Sequence, residues 1–126
     1  MQLTEHIPHD RYFIRSLGRD AVRIVDEDYS QSLLLTPTEG VTPWPVETVG
    51  ALDDSALAPI IAHEPDVVLL ATGRCLRFPD RTVRIDLMRR NIGLEVMTLD
   101  AAARTFNVLA GEERRVLAAL IWEPGR

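Results

Sequence analysis

Six residues near the predicted ends of strands and helices could form a site for an anion. They are Thr72, Gly73, Arg74, Arg104, Thr105 and Asn107. The first three follow an apolar run at 67–71, and the other three lie in a helix predicted from residue 101. Ligands of open α/β sheets bind beyond the carboxyl ends of parallel strands, where guanidinium groups and helix N-terminal amides hold carboxylates or phosphates. The spacing therefore predicts a small anion pocket.

The same residues also have a structural interpretation, which the sequence leaves open. Arg104 would bond loop carbonyls, and Thr105 and Asn107 would satisfy nearby backbone groups, because buried polar side chains normally serve structure. The alanines at 101–103 would then pack against the sheet instead of admitting a ligand. The two interpretations differ in whether Arg104 faces a cleft or the protein's own backbone.

Other reactive side chains form no recognisable catalytic or metal-binding pattern. Cys75 is the single cysteine and has no histidine near it in sequence, so a thiol nucleophile would lack a base. His6 and His9 precede the first predicted strand, where solvated histidines are expected instead of a metal site. The chain has no phosphate loop, dinucleotide fingerprint or nucleophile elbow. We therefore predict no catalytic residue, no metal and no cofactor, which favours a protein that is not an enzyme.

The elements that would position these residues begin with an antiparallel β-meander. Apolar runs at 12–17 and 21–25 are separated by a turn, and a second turn at 26–28 leads to a third strand over 29–35. Residues 36–45 contain three prolines and predict a loop. Within it, Trp44 stands between two prolines and is expected to plug the core.

Helices and strands alternate in the second half of the chain. The predicted elements are a helix over 56–63, a strand over 67–71, a helix over 80–90, a strand over 94–97, a helix over 101–109 and a strand over 115–121. The first helix is expected to be capped within Asp53–Ser55 and the third by Asp100. The second should direct Val83, Leu87 and Met88 inward and end in a C-terminal cap at 91–93. The order β-β-β-α-β-α-β-α-β predicts an α/β fold. We expect a three-layer domain in which the meander precedes a βαβαβ-type mixed sheet covered by helices.

Composition limits the classes of partner. The 126 residues fit one domain, with the core expected at about 10–122. The formal net charge of −5 argues against nucleic acid, because phosphate neutralisation supplies most of that affinity. All positive side chains except histidine are arginines.

No signal peptide and no apolar run long enough to span a bilayer is evident, so we expect a cytoplasmic protein.

Over roughly residues 10 to 122 the chain resembles a family of small single-domain proteins of unknown activity, most specifically in its C-terminal part. That family includes the mitochondrial respiratory complex I (NADH:ubiquinone oxidoreductase) assembly factor 3. The matching residues are Val96-Met97, Ala101-Ala102, Arg104-Thr105-Phe106-Asn107-Val108-Leu109, Glu112, Arg114-Arg115-Val116 and Ala118-Ala119-Leu120, with Trp44 and Ala71-Thr72-Gly73 upstream. The family often has a cysteine where Ala103 stands, so a nucleophile at that position is not expected in this chain. The resemblance implies a three-layer α/β domain and a role in assembling a respiratory complex.

Two hypotheses follow from these observations. The first is a non-enzymatic interaction or assembly protein, whose partner would be a respiratory-complex subunit or another assembly factor. Its contact surface would be the early hairpin edge or the loop around Trp44, and peripheral association with a membrane is compatible with it. The alternative is a small-molecule binding protein or enzyme that uses the anion pocket, with Arg74 and Arg104 as anchors. The oligomeric state is left open.

Overall fold

The computed structural model describes residues 10–112 and 114–123, so the histidines at positions 6 and 9 lie outside it. Its elements are β1 (Ile14–Leu17), β2 (Val22–Ile24), β3 (Glu27–Tyr29), β4 (Leu33–Thr36), β5 (Gly40–Pro43), a 3₁₀ turn (Val49–Ala51), α1 (Asp54–Ala62), β6 (Val67–Ala71), α2 (Arg81–Met88), β7 (Gly93–Met97), α3 (Leu99–Ala110) and β8 (Val116–Leu120). The predicted alternation of helices and strands from residue 54 onward is confirmed.

The strands form two sheets. β1, β2 and β3 make a three-stranded antiparallel meander. The second sheet has five strands in the order β5-β4-β8-β6-β7, with β6 parallel to both β7 and β8, and with β4 antiparallel to β5 and β8. The predicted mixed α/β architecture is therefore confirmed. Because β6, β7 and β8 are parallel, their carboxyl ends lie at one edge of the molecule.

The five-stranded sheet is the middle of three layers. On one face, Val67, Leu69 and Ala71 of β6 pack in a cluster with α3 and the meander. On the other face, Val68 and Leu70 pack in a cluster with α1 and α2. A strand buried on both faces needs an unbroken apolar run, which explains why this strand was predictable from sequence.

Two strands were not predicted. β3 occupies part of the predicted turn at 26–28, so the predicted strand over 29–35 is divided between β3 and β4. β5 lies inside the predicted loop at 36–45 and pairs with β4, with Thr36 opposite Gly40. Gly40 has a φ of +83°, and a Cβ there would lie 2.7 Å from the Tyr12 ring, so this turn requires glycine. Pro43 is tolerated because β5 is an edge strand.

Trp44 packs as predicted. Its side chain is only 2% exposed, and its indole Nε1 donates a hydrogen bond of 2.9 Å to the carbonyl oxygen of Ala56 in α1. This bond satisfies the one polar atom of a large buried ring. The loop after β5 is therefore attached firmly to α1.

The helix caps confirm some predictions and correct others. Asp53 caps α1, since its side chain accepts a hydrogen bond from the Ala56 amide. α2 is followed by Asn91 with a φ of +60°, in the predicted C-terminal cap. The cap of α3 is Thr98, because the helix begins at Leu99, which places the predicted cap Asp100 inside the first turn. The predicted inward position of Met88 is wrong: its side chain is 63% exposed, whereas Val83 and Leu87 are buried.

Candidate functional site

The predicted anion pocket corresponds to a shallow cleft at the carboxyl ends of the parallel strands. Its lining residues are Thr72, Gly73, Arg74, Cys75, Arg77, Leu99, Ile121, Trp122 and Glu123. The enclosed volume of the cleft is about 10 Å³. That space holds about one water molecule. The structure therefore brings the first three predicted residues together beside a cleft that has no preformed room for a small molecule.

Thr72 uses its side chain to hold the loop that follows β6. Its hydroxyl Oγ1 donates to the carbonyl of Cys75 at 3.1 Å and accepts from the Arg77 amide at 2.9 Å. Its backbone N–H donates to the carbonyl of Met97 at 3.1 Å. The residue is 1% exposed. These bonds explain why a polar side chain can be buried at the end of an apolar strand.

Gly73 joins this loop to α3. It has a φ of +90°, a conformation that glycine adopts without strain. Its carbonyl accepts a hydrogen bond of 2.9 Å from the amide of Leu99, the first residue of α3. The Ala101 amide in turn donates to the Thr98 side chain. Two amides of the helix N-terminus are thus already bonded to the protein, which reduces what this terminus offers to an anion.

Arg74 crosses from this loop to the turn between β1 and β2. One guanidinium nitrogen donates to the carbonyl of Gly18 at 2.9 Å and also to that of Arg19. The guanidinium carbon lies 5.8 Å from the centre of the Trp122 ring, within the range of a cation–π contact. The side chain therefore links three segments that are distant in sequence.

The other three predicted residues lie on α3, away from the cleft. Among the described residues, α3 contributes Leu99 to the lining but not Arg104, Thr105 or Asn107. Arg104 is exposed, and Thr105 is half-buried. Asn107 pairs with one residue of β1: its Oδ1 accepts from the Ile14 amide and its Nδ2 donates to the Ile14 carbonyl, both at 2.8 Å. Asn107 has the structural role that the sequence left open.

The remaining candidate side chains do not form a reactive group in the described residues. Cys75 is exposed, and no group of three or more His, Cys, Asp or Glu side chains within residues 10–112 and 114–123 could hold a metal. His63 ends α1, and its Nδ1 lies 3.5 Å from Oε1 of Glu39. Every buried side-chain nitrogen or oxygen of this part of the chain has a hydrogen-bond partner. No buried polar atom there awaits a ligand.

An open groove lies at the loop around Trp44. Its volume is about 630 Å³, and its lining residues are Ser30, Gln31, Ser32, Pro43, Trp44, Pro45, Val46, Glu47 and Trp122. Ser32 holds two other lining residues in place by hydrogen bonds. Its carbonyl accepts from the Trp44 amide at 3.1 Å, and its hydroxyl accepts from the Trp122 amide at 2.7 Å. We call this feature the Trp44 groove.

A second groove, of about 290 Å³, lies at the opposite end of the sheet. Three of its lining residues are arginines, at positions 11, 114 and 115. Arg11 donates to the carbonyl of Ala110 at the end of α3, and Arg115 donates to that of His63 at the end of α1. Cations are stabilising at helix C-termini, so these two arginines have a structural explanation.

The outer side of α2 is a surface that the sequence analysis missed. What we call the α2 surface is defined by five residues of α2 and of the loop that leads into it: Leu76, Phe78, Arg81, Ile85 and Met88. All five are exposed, and Phe78 is 69% exposed. The signal was available in the spacing, because Ile85 and Met88 lie on the side of the helix away from Val83 and Leu87.

A sequence profile described as "Protein of unknown function (DUF498/DUF598)" matches residues 14–121, which covers both sheets and all three helices. The chain belongs to this family. The match includes the strand-helix-strand segment β7-α3-β8 and the loop around Trp44.

Relatives of this DUF498/DUF598 chain share both its sequence and its fold. An uncharacterized protein of Rhodobacter capsulatus is 33% identical over 92 residues, which are 73% of this chain and 70% of the relative. The solution structure of a Xanthomonas campestris protein is 38% identical, with a TM-score of 0.83 over 100% of this chain and 96% of the other. A Bartonella henselae crystal structure, described as an outer membrane protein, is 26% identical with a TM-score of 0.77, over 90% and 96% of the two chains.

In the part of the chain that the structure describes, no helix is both long and apolar enough to cross a membrane.

Proposed function

We propose that the protein is a non-enzymatic interaction protein that acts in the cytoplasm on the assembly of a membrane-bound respiratory complex. The observation that carries this proposal is the contrast between two depressions of the surface. The cleft where an α/β enzyme would bind its substrate encloses about 10 Å³, whereas the Trp44 groove has about 630 Å³. The Trp44 groove has room for a partner's side chains, and it is more than twice as large as the groove at the opposite end of the sheet.

The partner of the Trp44 groove would be a respiratory-complex subunit or another assembly factor. The resemblance of the chain to the family that includes complex I assembly factor 3 supports this class of partner. β5, whose residues Thr42 and Pro43 are exposed, forms an edge of the sheet next to the groove and extends the available contact surface.

The test is affinity purification of the tagged protein from detergent-solubilised membranes of its native cells. We expect respiratory-complex subunits or assembly factors to co-purify reproducibly. Glu47→Arg and Gln31→Arg, which place charge at the groove rim, should reduce their recovery. Glu112→Arg, an exposed charge reversal outside the groove, is the matched control. Recovery of no respiratory protein, together with normal amounts of the assembled complex in a deletion strain, would overturn the proposal.

The second candidate function is the binding of a small anion at the cleft by Thr72, Gly73 and Arg74, with Arg104, Thr105 and Asn107 as its more distant support. The position of Arg74 and Arg77 in the cleft lining favours it. Binding would require Arg74 to leave the carbonyls of the β1–β2 turn. Thermal unfolding in phosphate and in citrate tests this function, since an anion at 100 times its Kd stabilises by about 2.7 kcal/mol. An unchanged Tm across both titrations would reject it.

A further inference from the structure

We propose that the α2 surface docks the protein onto an anionic lipid bilayer. This inference concerns a different surface from the Trp44 groove, and it does not depend on the assembly role. It rests on where the exposed apolar side chains are concentrated and on the charge around them.

Exposed apolar side chains are concentrated next to and within α2. Four of the six large apolar residues that are exposed in the described part of the chain lie within 76–88. They are Leu76, Phe78, Ile85 and Met88. Phe78 and Met88 are 69% and 63% exposed. Single exposed apolar residues are ordinary, but a concentration of them marks an interaction surface.

Helix geometry places the exposed apolar residues of α2 on one side, away from its buried residues. At about 100° per residue, Ile85 and Met88 project opposite the buried pair Val83 and Leu87. Arg81 lies between Ile85 and Met88 on that outer side. Arg89 flanks it on one side, and on the other lies Arg84, whose guanidinium donates to the carbonyl of Leu94 at 2.8 Å. The helix therefore has one apolar stripe that contacts the core and a second, bordered by arginine, that faces solvent.

The charge of this segment is opposite to that of the rest of the chain. Residues 76–90 contain five arginines and two aspartates, a local net charge of +3 in a protein of −5. One of those aspartates, Asp80, directs its carboxylate at the Thr82 amide and hydroxyl to cap α2. The positive charge is thus concentrated beside the exposed apolar side chains.

This combination matches the chemistry of an anionic bilayer surface. Apolar side chains enter the boundary between headgroups and acyl chains, while flanking arginines contact lipid phosphates. The aliphatic parts of arginine side chains can lie along the apolar region while their guanidinium groups stay in water. The outer side of a helix is convex, which suits a broad planar partner better than an inserted side chain.

Flotation of the purified protein with lipid vesicles tests the proposal. The vesicles contain phosphatidylcholine alone or phosphatidylcholine mixed with phosphatidylglycerol. We expect flotation with the mixed vesicles only, and a marked decrease at high salt because the charge attraction is screened. Phe78→Ser and Met88→Ser should each lower the partition coefficient about ten-fold. Arg81→Gln should lower it about five-fold. Val108→Ser and Arg114→Gln, which remove exposed residues elsewhere, should leave it unchanged.

Three outcomes would overturn the proposal. The first is that the wild-type protein does not float with phosphatidylglycerol vesicles. The second is that Phe78→Ser and Arg81→Gln float as well as the wild type. The third is that Phe78→Ser abolishes capture of an acidic protein from detergent extracts while vesicles are not bound, which would assign the surface to a protein. Because flotation uses no partner protein and the affinity purification uses no vesicles, failure of one leaves the other interpretable.

Discussion

α3 and α2 cover opposite faces of the same sheet. α3 is notable for its polar residues, and α2 for its exposed apolar residues. α3 carries the polar residues that first indicated a site, yet Asn107 bonds the backbone of β1 and the helix N-terminus is tied to Gly73. α2 carries no residue that suggested chemistry, yet it presents Ile85 and Met88 to solvent among arginines.

The difference between the two helices shows what distinguishes structure from function in this fold. When a polar side chain near a strand end bonds the protein's own backbone, its structural role is enough to explain its presence. An apolar side chain that faces solvent beside others of its kind has no such partner within the chain. We therefore place the proposed membrane-docking surface on α2 and assign a structural role to Asn107 in α3.

The largest expected effect on the free energy of unfolding comes from substituting one of two phenylalanines. Phe106 of α3 is 0% exposed, so Phe106→Ala should lower the free energy of unfolding by about 3–5 kcal/mol. Phe78→Ala should change it by less than about 0.5 kcal/mol, because that ring is in solvent. Urea unfolding of both variants gives the two values. Similar losses of stability in the two proteins would break the comparison.

Asn107→Ala tests whether the polar residue of α3 is structural. The variant leaves the Ile14 amide and carbonyl without their partner, which should cost about 1–3 kcal/mol of unfolding free energy. Val108→Ala, an exposed neighbour on the same helix, is the control and should cost less than about 0.5 kcal/mol. If the Asn107 variant is as stable as this control, the residue is available for a function.

Gly73→Ala tests the attachment of α3 to the cleft. Alanine at a φ of +90° is strained, and this should cost about 1–2 kcal/mol. The nearest atom to an added Cβ would be 3.8 Å away, so the loss would come from the backbone and not from a collision. Gly50→Ala, at a position without positive φ, is the control for chemical denaturation. Equal stability of the two variants would contradict the assignment.

The smallest expected effect is a pH difference between the helices. The pKa of Asp53 and that of Asp80 are lowered, chiefly because backbone amides of Ala56 and Thr82 donate to the ionised carboxylates. Since the folded pKa lies below the unfolded value of about 3.9, this stabilisation is present above that pH and is lost as the pH falls through the folded pKa. Thr98, which caps α3, does not titrate.

Amide NMR spectra recorded during acid titration would resolve this difference. We expect the Ala56 and Thr82 amides to shift with the titration of their own caps, each independently of the other. Asp53→Asn keeps an oxygen acceptor and should make the Ala56 amide insensitive to pH. Loss of the Thr82 shift in the Asp53→Asn variant would show that the helices do not respond separately.

Local patterns predicted much of the fold, whereas the partners of individual side chains could not be predicted. The unbroken apolar run at 67–71 and the cap at Asp53 are visible within a few residues. β5 is not, because its pairing with β4 depends on a turn at Gly40 that Tyr12 packs against. The partner of Asn107 lies 93 residues away at Ile14. Spacing divides the apolar residues of α2 into two sides, Val83 with Leu87 and Ile85 with Met88, but spacing alone did not show which side faces the core.

We propose that this molecule contacts an anionic bilayer through α2 and not through the cleft or α3. Amide NMR spectra of the labelled protein, recorded with and without phosphatidylglycerol nanodiscs, test it in one measurement. The account predicts line broadening concentrated at residues 76–90, with little change at 99–110 and at 121–123. Broadening centred on Arg104 to Asn107 or on the cleft, or unchanged spectra at saturating lipid, would contradict it.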